Sequence, residues 1–278
     1  MSLLRRSQII ANVCYMRLRS VSGIANWFKS QLPRQPYPNL FHSMGGSVAM
    51  KRSEINEIIR ESDAFIRSFG YVMPPFAYWS PEELKVRTSS DARAIRDARL
   101  GWDITDYGQG KFADLGLFLF TTRNGNAEDL KRGGGGMLYA EKIMISRKNQ
   151  LSPMHRHVVK AEDIINRGGG TLVLELFNSR PDGSVDEKTD VTVATDGRLV
   201  TQKAGAHLKL QPGESVTLLP GNWHAFWGEG GDVLIGEVST VNDDLTDNIF
   251  REPIGRFSNI EENEKPLHLL VSDYDKWL

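Results

Sequence analysis

The feature that most limits the fold of this chain is a series of short segments rich in β-branched and aromatic residues between residues 115 and 238. They are "LGLFLFTT", "MLYAEKIMIS", "TLVLELF", "VTVAT", "HLKL", "SVTLL", "HAFW" and "VLIGEV". Turn signals separate them, including Asn124-Gly125 and Asp196-Gly197. Short strands joined by tight turns predict an antiparallel sandwich or barrel.

Helical patterns come before these strands. From Ser53, "SEINEIIRESDAFIRSFG" places isoleucine and phenylalanine at helical spacing and ends on Gly70. A second helix is predicted to start at Ser80 as N-cap, with Pro81 in its first turn and Glu83 completing a capping box. Helices followed by strands predict a single α+β, mainly β domain over residues 50–278, with the N-terminal helices packed on the β structure as a cap.

Cysteine and apolar content narrow the function classes. The chain has one cysteine, Cys14, so neither an internal disulfide nor a zinc-thiolate cluster can form. A metal site must therefore use histidine and carboxylate ligands. No run of 18 apolar residues is present, so the sequence predicts no membrane span.

Residues 1–49 form a basic leader that differs from the rest of the chain. They contain six basic residues and no acidic one, whereas the remainder has 28 basic against 35 acidic residues. Three explanations fit: a translation start placed upstream of the natural one at Met50, where "MKRSEINEII" begins, a transit-like targeting segment, or a folded extension. The expected location is the cytoplasm. A basic leader could also attract nucleic acid, but without a recognition motif no nucleic-acid partner is expected.

The segment "MHRHVVKAEDIINRGGG" has the pattern of a metal site. On a strand, His155 and His157 point to the same side. Glu162 lies an odd number of residues further on, so a bend must return it to that side, and the following "DIINRGGG" is a candidate for the reversal. His224 follows a strand and a Pro-Gly turn. Three imidazoles and a carboxylate suit Mn, Fe, Co, Ni or Zn, and an octahedral ion would keep two positions open for catalysis.

His-x-His-x4-Glu followed by "PGNWH" resembles the two-part metal motif of the cupin superfamily, whose fold is a double-stranded β-helix barrel. The second motif is one residue shorter than the usual Pro-x-Gly-x-x-His, which affects the turn more than the ligand. Longer motifs resemble the bacterial D-lyxose isomerases: "MKRSEINEII", "PPFAYWSPEEL", "LGWDITDYGQGKF", "HRHVVKAEDIINRGGG", "LPGNWHAFW" and "EVSTVNDDLTDNIFREPIGRF".

This resemblance runs from Met50 to the C-terminus. It implies conversion of D-lyxose to D-xylulose, with D-mannose to D-fructose as the related reaction, using one Mn²⁺ per chain. It places the metal ligands at His155, His157, Glu162 and His224. The expected partners are a sugar substrate and a second copy of the chain, because dimers are the commonest assembly.

Isomerisation through an enediol needs groups that move protons and stabilise negative oxygen. Lys160 lies between two ligand positions, and a nearby cation should depress its pKa, which suits proton relay. Glu237 faces inward if its strand lines the barrel, and we take it as the candidate base for the carbon proton.

The polar segment "NDDLTDNIFREPIGRF" is predicted to cover the barrel mouth. Its candidates for sugar hydroxyls or base are Asp243, Asp244, Asp247, Glu252 and Arg256. Trp79 is a further candidate, for stacking on the sugar ring, although packing between helices and barrel is favoured for the aromatic cluster that contains it.

Several features have simpler explanations. The glycine runs 133–136 and 168–170 lack the Gly-Lys-Ser/Thr of a phosphate loop and are predicted as tight β turns. The acidic run Glu261, Glu262 and Glu264 is predicted to be a solvated face. Two rival functions stay open: a different metal-dependent cupin enzyme of the dioxygenase type, and a non-catalytic sugar-binding cupin. Formation of ketose from D-lyxose or D-mannose separates the isomerase from both.

Overall fold

Residues 48–278 are described by a computed structural model. The basic leader, apart from its last two residues, lies outside the described residues. The described helices are α1 (Arg52–Ser68), α2 (Pro81–Thr88), α3 (Arg93–Asp97), α4 (Ala127–Lys131) and α5 (Tyr274–Trp277), with 3₁₀ turns at Pro75–Tyr78 and Val271–Asp273. No helix within residues 48–278 is long and apolar enough to cross a membrane.

Strands make up most of the regular structure. They are β1 (Met50–Lys51), β2 (Gly101–Thr105), β3 (Leu117–Arg123), β4 (Tyr139–Ser146), β5 (Ser152–Arg156), β6 (Glu162–Ser179), β7 (Val185–Asp186), β8 (Val191–Thr195), β9 (Arg198–Gln202), β10 (His207–Leu210), β11 (Ser215–Leu218), β12 (Trp223–Thr240), β13 (Ile249–Phe250) and β14 (Ile260–Glu261). The main sheet has the antiparallel order β2-β3-β4-β12-β6-β11-β8-β9. In addition, β5 pairs with β12, β10 with β6, and β13 with β5. The predicted mainly β fold with N-terminal helices is confirmed.

Two long bent strands, β6 and β12, connect the parts of the sheet. Each has 18 residues. They run antiparallel along most of their length, and their register shifts between Glu229 and Val233. Gly169 has φ +94° at this bend, and a Cβ there would collide with the carbonyl of Asp232. The segments "HAFW" and "VLIGEV" belong to one strand, β12. The prediction of a tight turn at residues 168–170 is wrong, because these glycines lie within β6 where its backbone passes close to that of β12.

The second glycine run also differs from its prediction. Residues 133–136 follow the short helix α4, and Gly133 has φ +74° just after the helix end. This is a helix-terminating loop and not a β turn.

The helix boundaries follow the local signals. Ser80 accepts a hydrogen bond from the Glu83 backbone at 3.1 Å, and the Glu83 carboxylate accepts one from the Ser80 backbone at 2.9 Å. The predicted capping box is confirmed. Helix α1 spans Arg52–Ser68 and packs its isoleucine face on the sheet.

Strands β3 and β4 are buried on both faces, and their side chains alternate between two environments. The residues that face the helical cap share one hydrophobic cluster with α1: Phe118, Phe120, Ile143 and Ile145. The intervening residues line an internal cavity: Leu117, Leu119, Lys142 and Met144. A change of one residue in register would exchange these two sets.

A buried arginine joins the start of α1 to the C-terminal region. Arg52 is 0% exposed, and its guanidinium donates to Asp273 at 2.8 and 3.0 Å and to Glu262 at 2.9 Å. Glu261 and Glu264 are exposed, as expected for a solvated face. Glu262 is exposed as well, and its carboxylate additionally pairs with a buried arginine that is distant in sequence.

Candidate active site

Three histidines converge at one end of the cavity. His155 lies on β5 and His224 on β12, where the two are direct cross-strand partners. His157 follows the end of β5. One ring nitrogen from each histidine lies within 4.8 Å of the corresponding nitrogens of the other two. This spacing allows all three imidazoles to bind one ion.

The outer nitrogen of each ring is fixed by the backbone. The Nδ1 atoms contact carbonyl oxygens of Pro153 at 2.8 Å for His155, of Asp247 at 2.8 Å for His157 and of Asn222 at 3.1 Å for His224. A carbonyl only accepts, so each Nδ1 carries the proton and each Nε2 keeps a lone pair. This arrangement is typical of metal-binding histidines.

Glu162 completes the group. Its Oε1 lies 3.3 Å from His157 Nε2 and 3.2 Å from His224 Nε2. Within the part of the chain that the structure describes, Oε1 of Glu162 and Nε2 of His157 are buried without a hydrogen-bond partner. Buried lone pairs that point at one another are costly unless a cation lies between them. The donor set therefore fits a divalent ion of the first transition row.

The protonation states also suit metal binding. Burial lowers the pKa of His155 far below its usual value, and the neighbouring imidazoles act in the same direction. Burial and the charge of Lys160 lower the pKa of His157. Burial alone would raise the pKa of Glu162, but Lys160 and His157 hold it well below its usual value. His155 and His157 are thus neutral and Glu162 is ionised, as metal ligands must be.

The return of Glu162 to the site does not come from the predicted reversal. "DIINRGGG" continues along β6, and the chain bends earlier, at residues 157–161 between β5 and β6. The Gly221 N–H donates to the His157 carbonyl at 2.8 Å, so the His224 turn supports this bend.

The shorter turn before His224 closes without disturbing the ligand. Gly221 has φ +89°, and the Asn222 side chain accepts from the Leu219 N–H at 2.9 Å. Asn222 N–H donates back to the Leu219 carbonyl at 3.0 Å. A glycine in the left-handed region therefore compensates for the missing residue.

A buried ionic network adjoins the histidines. Lys160 Nζ lies 2.7 Å from Glu162 and 3.0 Å from Glu237. Lys142 Nζ lies 3.4 Å from the same Glu237 oxygen and donates to Asn242 at 2.6 Å. The structure thus brings the two predicted catalytic residues, Lys160 and Glu237, into direct contact beside the histidines.

The expected depression of the Lys160 pKa is not seen with the protein's own charges. Burial lowers the pKa, but the negative charges of Glu162 and Glu237 outweigh it and raise the pKa. The sequence argument considered only the cation and did not foresee two carboxylates within hydrogen-bond distance of the lysine.

Residues 241–256, here called the strap, follow β12 and contribute Asp244, Asn248, Phe250 and Arg256 to the cavity lining. Arg256 Nη2 lies 2.6 Å from Asp103 and 3.6 Å from Asp244, and Asp244 lies 3.8 Å from Lys142. Burial alone would raise the pKa of Asp244, but Lys142 and Arg256 lower it strongly. Nη1 of Arg256 is buried without a partner among residues 48–278.

The cavity enclosed by these groups has a volume of about 40 Å³. Such a volume holds about three water molecules. Its apolar wall is formed by Leu117, Leu119, Met144 and Phe250, and its polar wall by the lysines, Glu237, Asp244 and Arg256. Buried donors and acceptors with unused capacity opposite an apolar wall are typical of a small-molecule site.

The chain is similar in sequence to known proteins over most of its length. The sequence model of the D-lyxose isomerase family matches residues 50–274. A D-lyxose/D-mannose isomerase from Serratia proteamaculans is 46% identical over 231 residues, which cover 82% of this chain and all of that protein. One of the same name from Escherichia coli O157:H7 is 44% identical over 227 residues, covering 81% of this chain and 98% of that protein.

The chain belongs to the D-lyxose isomerase family. This membership confirms the resemblance drawn from the sequence motifs and the assignment of the chain as an aldose–ketose isomerase.

Solved structures with much lower sequence identity share the fold of this chain. The L-ribose isomerase of Acinetobacter sp. DL28 in complex with L-ribose has a TM-score of 0.51 at 15% identity, covering 77% of this chain and 98% of that one. A mutant of the same enzyme gives a TM-score of 0.52 at 14% identity over the same fractions. At this identity the similarity concerns the fold alone.

The remaining candidates from the sequence occupy different positions in this family member. Asp244 and Arg256 line the cavity. Trp79 packs against Phe76, with ring centres 6.3 Å apart, and lies under Arg87. Trp79, Asp247 and Glu252 are outside the cavity lining in the described range, and the Asp247 carboxylate binds backbone N–H groups instead.

Among the cavity residues that sequence reasoning missed, two carry ionisable groups, Lys142 and Tyr107. Lys142 places a charge on the inward face of β4 between Ala140 and Met144, and that interruption was the available signal. Tyr107 has φ +56°, an uncommon conformation for a non-glycine residue, and burial raises its pKa to about 12. A positive φ leaves no trace in the sequence of a tyrosine.

Proposed function

We propose that this chain is a metal-dependent isomerase that converts D-lyxose to D-xylulose and D-mannose to D-fructose, with one Mn²⁺ bound by His155, His157, Glu162 and His224. The observation that carries the proposal is the convergence of buried, unpartnered ligand atoms beside Glu237 and its two lysines. The names of the two curated relatives support the choice of sugars.

Aldose–ketose conversion moves a hydrogen from C2 to C1 while negative charge develops on the two sugar oxygens. A bound divalent ion would supply Lewis-acid stabilisation of that charge. The rest of the chemistry falls to side chains of the chain itself.

Glu237 is the proposed base for the C2 proton. Burial alone would raise its pKa, but Lys142 and Lys160 lower it, so the carboxylate is ionised at neutral pH and can accept a proton. As the proton arrives, the two ammonium groups keep a positive potential near the developing oxyanions. In this role the lysines hold charge and Glu237 moves the proton.

Lys160 is the proposed donor to a sugar oxygen. An ammonium group has three donors, and the contacts of Lys160 Nζ with Glu162 and Glu237 use two. Its buried position fixes the remaining donor relative to the metal ligands. This role needs a charged lysine, which agrees with the raised pKa.

Arg256 and Asp244 are proposed to bind sugar hydroxyls away from the reacting carbons. The free Nη1 of Arg256 can donate, and Asp244 can accept. The Asp103 carboxylate fixes the Arg256 guanidinium through a contact of 2.6 Å with Nη2. Trp79 and Glu252 are not assigned a sugar contact, because they lie outside the cavity lining among the described residues. The homodimer and the cytoplasmic location stay predictions.

The test is ketose formation by protein loaded with Mn²⁺ and incubated separately with D-lyxose, D-mannose and L-ribose. We expect ketose from the first two sugars and loss of activity on chelation. His224→Ala should abolish activity and lower the bound metal measured by mass spectrometry. His207→Ala is the matched control, because His207 lies on β10, packs against Trp227 and is not in the metal group.

Other outcomes would replace the proposal. Sugar binding without ketose would favour a sugar-binding protein, and oxygen consumption with Fe²⁺ would favour a dioxygenase. Ketose from L-ribose alone would keep the reaction class and overturn the choice of sugar.

A further inference from the structure

Asp247 holds the bend that carries two functional residues. It lies in the strap and is 7% exposed. Its Oδ1 accepts the backbone N–H groups of Val158 at 2.7 Å and Val159 at 2.9 Å, and its Oδ2 accepts that of Lys160 at 2.8 Å. One carboxylate thus binds three successive N–H groups. Hydrogen bonds to an ionised acceptor are stronger than neutral ones.

The same residue also orients a metal-ligand candidate. Its backbone carbonyl accepts the hydrogen bond from His157 Nδ1 at 2.8 Å. The side chain and main chain of Asp247 together fix every residue from His157 to Lys160. His157 and Lys160 are the two residues of this bend that line the cavity.

Apolar packing contributes little to this bend. The side chains of Val158 and Val159 are 53% and 59% exposed. With little apolar burial and no regular secondary structure at these positions, the bend depends on its hydrogen bonds for a single conformation. The Asp247 carboxylate accepts most of the hydrogen bonds that the N–H groups of this bend donate.

We propose that Asp247 is a positioning residue: it orders the 157–160 bend so that His157 faces the metal and Lys160 faces the substrate. This inference rests on the proposed function for the roles of those two residues. It replaces the sequence-based expectation that Asp247 binds sugar, because both carboxylate oxygens are already used by the backbone.

The main test compares Asp247→Asn and Asp247→Ala with Asp186→Asn. Asp186 is the matched control: its Oδ1 accepts the backbone N–H groups of Lys188 at 2.9 Å and Thr189 at 3.3 Å in a surface loop. In Asp247→Asn the amide nitrogen would face the Lys160 N–H, donor against donor. We expect kcat to fall about tenfold for Asp247→Asn and about a hundredfold for Asp247→Ala, the range for lost supporting contacts.

KM should change by less than about threefold in both Asp247 variants, because the residue does not touch the sugar. The Mn²⁺ dissociation constant, measured by calorimetry, should rise about tenfold for Asp247→Ala as His157 loses its fixed position. Asp186→Asn should change neither quantity. Circular dichroism confirms folding, and if Asp247→Ala does not fold, Asp247→Asn decides.

A double-mutant cycle with Lys160→Ala tests whether Asp247 acts through the lysine. Once Lys160 is truncated, Asp247→Asn should lower kcat by less than about twofold further. Full additivity of the two losses, or a rise in KM with unchanged kcat, would overturn the proposal.

The two proposals fail in different ways. If the wild type makes no ketose, the proposed function fails, while the Mn²⁺ titrations still judge the positioning role. If the wild type is active and Asp247→Ala binds Mn²⁺ and turns over as Asp186→Asn does, the positioning role alone is lost.

Discussion

The cavity network and the Arg52 cluster are two groups of buried charges with similar composition and different degrees of saturation. Around Arg52, four hydrogen bonds of 2.8–3.0 Å join the guanidinium to both oxygens of Asp273 and of Glu262. In the cavity, Glu162 Oε1, His157 Nε2 and Arg256 Nη1 have no partner among residues 48–278.

This difference separates a structural cluster from a functional one. A buried guanidinium whose three nitrogens all have partners connects parts of a fold, here α1 and the C-terminal region. Buried polar atoms left open carry a desolvation cost that a ligand can relieve. Charge content alone would not distinguish the two regions.

Removing the charge of Lys160, at the centre of the cavity network, should have the largest effect. We expect Lys160→Met to lower turnover about a thousandfold, within the range for lost proton transfer, while Mn²⁺ still binds through the histidines. Ketose formation and bound metal measure the two effects. Lys209→Met, which removes an exposed lysine paired with Glu229, serves as control. Near-native turnover of Lys160→Met would remove the lysine from the mechanism.

The corresponding change in the Arg52 cluster should affect stability instead of turnover. Arg52→Met leaves the buried Asp273 carboxylate without its arginine and should lower the free energy of unfolding by about 3 kcal/mol. Turnover per folded molecule should not change. Urea denaturation and kcat measure the two effects.

A matched control lies on the same helix. Arg60 pairs with Glu57 at 3.0 Å, but both side chains are at least half exposed, at 50% and 61%. Arg60→Met should therefore cost less than about 0.5 kcal/mol. Equal losses for Arg52→Met and Arg60→Met would contradict the structural role of the cluster.

The proposed base of the cavity network, Glu237, can be tested by a substitution that keeps the shape of its side chain. Glu237→Gln should lower kcat about a hundredfold, the lower range for a lost general base. In D₂O, the wild type should place solvent deuterium at C1 of the ketose, and the variant should not, as read by NMR. A wild type that incorporates no deuterium would contradict a base at Glu237 that exchanges its proton with solvent.

The smallest effect is expected at Glu262, on the exposed edge of the Arg52 cluster. The hydrogen bond from Arg52 lowers the pKa of Glu262 in the folded state and outweighs the opposing effect of burial. A lowered folded pKa means that Glu262 stabilises the fold above its unfolded pKa of about 4.3 and loses this contribution as pH falls.

Glu262→Gln should therefore flatten the acid side of the stability profile, by less than about 1 kcal/mol because the pair is partly solvated. Unfolding midpoints between about pH 3 and 6 measure this. The neighbouring exposed Glu261→Gln is the control, and an equal flattening there would contradict the assignment to the Arg52 pair.

Local signals in the sequence predicted what depends on local physics. The capping box at Ser80, the extent of α1 and strands such as Val191–Thr195 follow from spacing and side-chain type. The His-x-His pair, Glu162 and His224 were grouped by residue type and family motifs, and the structure brings them together.

Long-range pairing explains what the sequence did not predict. The partner of Arg52 lies 210 residues away in Glu262, and no periodicity reports such a contact. The inward lysine Lys142 and the backbone role of Asp247 depend on how β4 and the strap meet the bend after β5. Glycines inside β6 gave the same signal as a turn, because both need a positive φ or close backbone approach.

The alternation along β3 and β4 gives an engineer two independent surfaces on one piece of backbone. Leu117, Leu119 and Met144 shape the apolar wall of the cavity, while Phe118 and Phe120 anchor the helical cap. The wall can therefore be redrawn for a different sugar by changing alternate residues, while the intervening ones continue to hold the scaffold. A library restricted to those three wall positions would vary the cavity while leaving the residues that anchor the helical cap unchanged.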